Sequence, residues 1–593
     1  MKTYLTKQDF QRFLSCPTAA YYGWQGLPSR NDGDEFLAHL ATEGRIAGEL
    51  ARRLFAHARL IDEPDSQAAN AVTLKALARG DCTLFEGCIL AGSFLARPDV
   101  LIKRGKKLYL IEAKSKCGDM AAHRKGRMLI TFYGGIRSEW REYVHDLSFQ
   151  CEVVKRALPG YEVMPYLLLP EAQSAAPEEE IEAARIERPE YDHPGKGTVK
   201  QRREKSIFRF FASAKAIKEV KAGVGERMDT MAEILGSRNR PVSPLKYACR
   251  NCEFRLKDGN DPEDGWHECW GELAMPKPHL YELNQLYSLK TDGRKLLADK
   301  KIREGKTSLF DITMNELHGE HAMRQRVQLK NAHSDTEWID PALGEALLAL
   351  KWPIAFLDFE TFASAVPWYA GMKPHELMPF QFSAHVLNHD GKVRHEEWLN
   401  VNDENPTLGF IRALRAALDR AGSILIYTDY EIRVLREARF YLGRMVPDSQ
   451  SEQTWIDDLL RGDRLVDQHE WVHRWYFHPA MGGRTSIKKV LPAIWRSNST
   501  LHGHACFANY FRECEGTILD PYKTLPSASV NGIDFEIREG CGAMRGYREL
   551  ILGAGARCPK TKAVLAQMLR AYVSLDTVSQ WIIFEHWRQR LGM

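Results

Sequence analysis

The sequence predicts an α/β chain of more than one domain, and three observations carry that expectation. The 593 residues exceed what one hydrophobic core holds. Short apolar runs of strand character, 108–114 and 354–361, each carry charged residues two positions apart. Segments of helical period, such as 43–60 and 569–578, stand between and around such runs. With 44% hydrophobic and 27% charged residues, the composition is that of a folded protein. The net charge of +4, from 82 basic and 78 acidic residues, neither demands nor excludes a nucleic-acid partner. The first ten residues show no apolar signal region and no run is long enough to cross a bilayer, so a cytoplasmic protein without a membrane partner is expected. In that compartment the 12 cysteines are expected as thiols or metal ligands rather than disulfides.

Residues 6–22 read as a helix with Thr6 as its N-cap, bent or broken where Pro17 follows Cys16. A second helix is expected over 43–60, with Ile46, Leu50, Leu54 and Phe55 on one face. Residues 84–114 read as a β-meander. Asp99 follows Pro98 at the start of one strand, and Glu112 and Lys114 share a face of the next. Two carboxylates suit Mg²⁺ or Mn²⁺, hard cations that take oxygen ligands. A neighbouring lysine can orient the attacking water or stabilise charge developing on a phosphate. The competing reading is a surface hairpin with a cross-strand ion pair. The stretch 171–205, rich in Glu, Ala, Pro and basic residues, reads as a solvated insert.

Cys249 and Cys252 form a Cys-x2-Cys pair, with Cys269 further on. Such a pair can ligate one metal from a tight turn, and the set needs a fourth donor, for which His267 is a candidate. The other eight cysteines read as small buried apolar residues. Residues 281–350 read as mostly helical. Gly305-Lys-Thr307 lacks the leading glycine of a phosphate-binding loop, because residue 300 is lysine, so no ATPase is expected.

Ile354-Ala-Phe-Leu-Asp-Phe-Glu-Thr361 ends an apolar run with Asp358 and Glu360 on one strand face. Two anions held that close repel unless a cation stands between them. A hairpin is expected from 378–387 through Asn388-His-Asp-Gly391. The run 424–431 leads into a helix with Glu431 in its first turn, Asp429 being the competitor. Tyr572 and Asp576, four apart, stack on one face of a C-terminal helix.

Pro98-Asp99…Glu112-Ala-Lys114 resembles the metal core of the PD-(D/E)XK nucleases, and Asp146-Leu-Ser-Phe-Gln150 resembles the glutamine motif of their RecB-type members. Gly44-x3-Gly48-Glu49 resembles their first helix, without the histidine many of them carry where Gly48 stands. The order Cys16…Cys249-x2-Cys252…Cys269 resembles members in which one cysteine before the core and three after it hold a 4Fe-4S cluster, with Zn²⁺ as the alternative. In the back half, Asp358 and Glu360, Tyr430-Glu431, and Tyr572-x3-Asp576 resemble, in order, the three motifs of the DEDD exonucleases in their tyrosine subclass. Thr428 and Glu431 stand where that family usually has asparagine and aspartate. Asp458 would be either a supporting acid or a helix cap.

The resemblances imply three parts: a PD-(D/E)XK domain with a cysteine-ligated cluster over 1–275, a helical connector over 276–350, and a ribonuclease H-like exonuclease domain over 351–593. Together they resemble a bacterial family joining a RecB-like front to an exonuclease-like back. Implied metal ligands are Asp99 and Glu112 in front, and Asp358, Glu360, Glu431 and Asp576 behind, where two cations about 4 Å apart would flank the scissile phosphate. Lys114, Gln150 and Tyr572 would complete the catalytic sets. The implied activity is metal-dependent cleavage or trimming of nucleic acid, DNA before RNA, 3′ to 5′ at the back site, in repair or in defence against foreign DNA. Two other readings stand beside it: a nucleic-acid-binding scaffold with one active site, and a zinc-bearing RNA exonuclease.

Overall fold

The computed structural model describes residues 3–55, 57–185, 203–220, 223–237, 239–256, 264–291, 295–530 and 533–593. The mixed α/β chain divides into two compact units. One comprises 1–244, 251–269 and 363–376; the other comprises 245–250, 270–362 and 377–593. The stretch 276–350 is therefore part of the second unit. No helix among the described residues is long and apolar enough to cross a membrane.

The first unit begins with α1 (Lys7–Ser15) and α2 (Pro17–Gln25), the helical stretch over 6–22 breaking at Cys16-Pro17 as expected and running on to Gln25. Cys16 is extended between them, as a residue before proline tends to be. The next helix, α3, runs Glu35–Arg52 rather than over 43–60, because Asp34 caps it by accepting from the Leu37 N–H. The six-stranded sheet follows chain order: β1 (Arg59–Leu60), β2 (Cys82–Phe85), β3 (Val100–Arg104), β4 (Lys107–Ala113), β5 (Glu162–Pro170) and β6 (Phe208–Ala212). The expected meander differs in one respect: 89–91 and 94–96 leave the sheet to pair with each other. Strands β3 and β4 form the tight hairpin that holds the Asp99–Lys114 set, with Val100 opposite Ile111.

Helix α4 (Arg141–Ala157) crosses to β5, which lies parallel to β4. Val144, Leu147, Val153 and Val154 of α4 are buried with Leu108 and Leu110 of β4 and Leu167 of β5. Burying each such side chain is worth ~1.5–3 kcal/mol. Of the 171–205 stretch, 178–185 is helical, and 186–202, including most of its basic run, lies outside the described residues. Residues 363–376 pack in this unit. The Ala365 N–H donates to buried Glu43, and Val366 lies in the core with Ile46 and Leu50.

In the second unit a five-stranded sheet has β7 (Ile354–Phe362) at its centre. Its antiparallel neighbours are β8 (Met378–Leu387) and then β9 (Val393–Leu399), the expected hairpin. On the other side lie the parallel strands β10 (Ile424–Ile426) and β11 (Leu465–Asp467). Helix α5 (Tyr430–Met445) follows β10, and α6 (Ile487–Ser497) and α7 (Pro559–Arg590) come later. Helix α7 docks on β7 through aromatic packing. Phe356 lies 6.3 Å from Trp581 and 5.4 Å from Phe584 between ring centroids. Gln580 Nε2 donates to the Leu357 carbonyl at 2.9 Å, which fixes the helix along the strand.

Candidate metal centres

The back site is built where β7 meets α7. Asp358 and Glu360 are two apart on the strand, so both project from one face. The Leu357–Gln580 bond and a 2.9 Å contact between Ser383 and Thr577 hold α7 in register, with Asp576 against them. Ligand oxygens of Asp358, Glu360 and Asp576 all lie within 4.8 Å of one another. Glu360 and Asp576 are buried, while Asp358 is partly open to solvent. Glu431, in the first turn of α5, lies outside that triad but is near enough for its charge to act on Asp358 and Asp576. It is 2% exposed, and its Oε2 is buried without a hydrogen-bond partner. The residue before that helix cap is strained: Thr428 has φ +89°, a genuine outlier for a β-branched side chain. Its N–H donates to Asp467 at 3.0 Å.

Electrostatics follows from that crowding. Loss of solvation and the neighbouring acids push Asp358 and Glu360 well above the usual carboxylate range. Desolvation likewise raises Asp576, against the pull of Lys488 and two tyrosine hydroxyls. Glu431 is pushed up to about 8 by burial and by Asp467 and Asp576. The nearby cation is Lys488 of α6. Its Nζ donates to the Tyr572 hydroxyl at 3.0 Å and lies 4.9 Å and 5.0 Å over the Tyr572 and Tyr522 rings. Tyr522 donates a short hydrogen bond to Asp576. A group of buried carboxylates with one lysine and an orphaned acceptor oxygen fits divalent cations.

The front site lies within the first unit. Asp99 precedes β3 and accepts from the Ala113 N–H at 2.7 Å. Glu112, 1% exposed, pairs with Lys114 at 3.0 Å and with Lys7 of α1 at closer range. Gln150 Nε2 donates to Glu112 Oε2 at 2.9 Å, leaving its own buried Oε1 without a partner. Lys114 also stands 3.6 Å from Asp146, one turn before Gln150 on α4. Burial and the charge of Glu112 raise Asp99 to about 7. Burial pushes Glu112 upward too, but Lys114 and Lys7 outweigh it and hold it at about 2. Two carboxylates and an unpaired amide oxygen are the donor types a divalent cation takes, and here they stand beside two lysines.

The structure thus gathers Asp99, Glu112, Lys114 and Gln150 in one place, and Asp358, Glu360, Glu431, Tyr572 and Asp576 in another. It also corrects details. Asp458 neither caps nor supports the back site; it is exposed and pairs with Arg461 at 3.0 Å on the surface of its helix. Glu49 pairs with Arg45 at 3.2 Å, and the further acid whose charge reaches Asp99 is Glu86. Glu86 sits at φ +54° with Arg52 against its carboxylate. Lys7, Glu86, Lys488 and Tyr522 are the participants the sequence reading missed. Each is a single residue remote in sequence, with no spacing to mark it.

Cys16, Cys252 and Cys269 all pack against Ala19, Tyr22 and Phe254 in the first unit. Cys269 Sγ lies 3.5 Å from the Tyr22 hydroxyl and 3.7 Å from Arg240. Cys249 is in the 245–250 segment of the second unit. None of the 12 cysteines is in a disulfide. Three thiols around one small core, with a guanidinium beside Cys269, are donors of the kind a thiophilic metal takes. Of the remaining eight, Cys88 and Cys151 are buried as expected, but Cys506 and Cys514 are exposed.

Residues 355–486 match a family model described as a domain of unknown function, DUF2779, a span from β7 to the start of α6 that includes Asp358, Glu360 and Glu431 but stops before Asp576. No curated protein and no solved structure matches the chain.

Proposed function

We propose that the protein is a metal-dependent nuclease whose principal site is the Asp358–Glu360–Glu431–Asp576 centre, acting on a free nucleic-acid end. The observation that carries this reading is the group of closely packed, largely buried acids with Lys488 as its nearby cation. Such a group is costly without bound cations and suited to holding two of them. Bound divalent cations would neutralise charge on the attacking and leaving oxygens of a phosphodiester. Asp358 is the partly open member, so an incoming phosphate would meet it first. The Tyr572 hydroxyl, fixed by Lys488 and hydrogen-bonded to Asp576, is placed to orient the attacking water. Lys488 adds a positive charge beside the phosphate.

The front centre is a second phosphodiesterase site in this reading, with Lys114 beside the attacked phosphate. One observation favours the alternative that the front only grips nucleic acid: Lys7 and Lys114 already neutralise Glu112. The gathered cysteines support a 4Fe-4S cluster over zinc as a structural staple, since the ligand order brackets the front domain. Iron analysis and a brown colour on purification distinguish the two.

The deciding experiment is digestion of end-labelled single- and double-stranded DNA and RNA with Mg²⁺ or Mn²⁺, using wild type, Asp358→Asn and Lys114→Ala. Loss of cleavage in Asp358→Asn supports the principal site. Unchanged cleavage in that variant overturns it. Loss in Asp358→Asn alone reduces the front to a binding module.

A further inference from the structure

Between Lys114 and the start of α4 the chain makes an excursion over 115–140, leaving the front site at the end of β4 and returning on the helix that carries Gln150. Its root is buried: Met128, Leu129 and Ile130 are 4%, 5% and 8% exposed and belong to the core. Ile130 bridges Ile136, and the Arg137 N–H donates to the Leu129 carbonyl at 3.0 Å. The tip is closed by the Thr131 N–H donating to the Gly135 carbonyl, also at 3.0 Å. Gly134 and Gly135 adopt φ +83° and +77°, a tight return that side-chain-bearing residues resist. At this pinned tip Phe132 and Tyr133 are 81% and 95% exposed, with ring centroids 5.2 Å apart, edge to face.

Two adjacent aromatic rings held out in water by a buried root are costly unless a partner covers them. The surrounding charge says which partner. Residues 114–141 hold seven lysines and arginines and two acids, more positive charge than the whole chain nets. Arg124, Lys125, Arg127 and Arg137, within seven residues of the tip in sequence, are exposed. The neighbouring acids are Glu139, which pairs with Arg137, and Glu219, which accepts from the Gly135 N–H.

We propose that the 131–135 tip is a stacking platform for single-stranded nucleic acid, with Phe132 and Tyr133 taking bases and the basic collar holding the backbone. Exposed aromatic faces with flanking cations bind unpaired bases without sequence preference, and paired bases offer their faces only at an end. The proposal rests on the nuclease reading and adds the strandedness that the front unit selects.

The test is fluorescence anisotropy in EDTA, with labelled oligo-dT, oligo-U and a blunt duplex as probes, so that binding is read apart from cleavage. Phe132→Ala/Tyr133→Ala is expected to weaken oligo-dT or oligo-U binding about tenfold or more while leaving the duplex within about twofold. Arg124→Glu/Lys125→Glu is expected to weaken all probes and to flatten the dependence on salt. Unchanged single-strand affinity in the aromatic variant, with wild-type melting behaviour, overturns the platform; so does a loss shared equally with the duplex. If the aromatic variant melts early, Tyr133→Ser alone takes its place under the same criterion. Wild-type cleavage with Mn²⁺ is measured in parallel. Cleavage with unchanged variant binding sinks the platform only, whereas no cleavage by wild type sinks the nuclease reading whatever the platform does.

Discussion

The two acidic centres solve one electrostatic problem differently. In front, Glu112 is met by two lysines from separate elements, Lys7 and Lys114, and stays ionised at about 2, while Asp99 sits near 7. Behind, Asp358, Glu360 and Asp576 share Lys488, Glu431 stands among acids, and all four are held above their ordinary range. The front is close to neutral as folded; the back waits for positive charge. Demand for a cation is therefore set by how many of a site's charges the protein neutralises itself, more than by how many carboxylates it owns.

The sharpest break in that comparison comes from removing one proposed cation ligand of the back site. Asp358→Asn is expected to cut nuclease activity by at least ~10²-fold, read by end-labelled digestion in Mn²⁺. Lys114→Ala leaves the back reaction intact. Equal losses in the two variants, or none in either, would mean that the sites do not differ as argued.

Thermal melting with added cation gives the next largest effect. A ligand at a hundredfold excess over its dissociation constant stabilises by about 2.7 kcal/mol. Mn²⁺ is expected to raise the melting temperature of the wild type. Asp576→Asn removes one of the mutually repelling charges, so in EDTA it melts at or above wild type and responds less to Mn²⁺. Lys7→Met does the reverse in front: it strips Glu112 of a partner, lowers stability without metal, and increases the response to Mn²⁺. A wild type indifferent to Mn²⁺ would refute the back-site account.

Acidity supplies a third way to separate the centres. Glu431 titrates near 8 in the folded chain, against ~4.3 for a free glutamate. Between those values the native state keeps a proton that the unfolded chain has lost, so stability falls as pH rises through the window. Asp99 contributes in the same sense up to about 7. Glu112 works oppositely: its contribution is complete above the ordinary glutamate value and is lost as pH falls towards 2. The metal-free protein is expected to melt lower at pH 8 than at pH 5, and Glu431→Gln to flatten that slope. A flat wild-type profile would show that the buried acids are neutralised by something else.

These contrasts also explain what was legible in the sequence. Strand positions were, because the short apolar runs over 354–361 and 378–387 are a local signal, as were the carboxylates two apart and the Tyr572–Asp576 spacing of four. The helix boundaries in the first unit were not. Asp34 as a cap starts α3 eight residues before the expected point, and the apolar face over 46–55 runs past the place where the helix ends. The neutralising partners were invisible for a different reason. Lys7 reaches Glu112 across 105 residues and Lys488 reaches Tyr572 across 84, and an isolated lysine in a helix reads as a solvated charge until the fold is known. Nothing in the apolar pattern announces φ +54° at Glu86 or +89° at Thr428. The acids of both sites were thus readable as motifs, while the charge balance that separates the two sites was not.

Two milder substitutions refine the picture. Tyr572→Phe removes the hydroxyl that joins Lys488 to Asp576 and leaves the ring in place. It is expected to lower the back-site rate about tenfold or more, with little change in substrate affinity, since a positioned hydroxyl acts on the water rather than on the strand. A change in KM alone would assign Tyr572 to binding. At the bottom of the scale lies Asp458→Ala. The sequence offers this acid to the back site, but the fold turns it outward to Arg461, both side chains being mostly exposed. An exposed pair of this kind is worth ~0–1 kcal/mol, so neither digestion rate nor melting temperature should move measurably. A loss of activity there would mean that its helix, Gln450–Arg461, contributes to the cation site after all, and would reopen the assignment of Glu431 as the acid from that side.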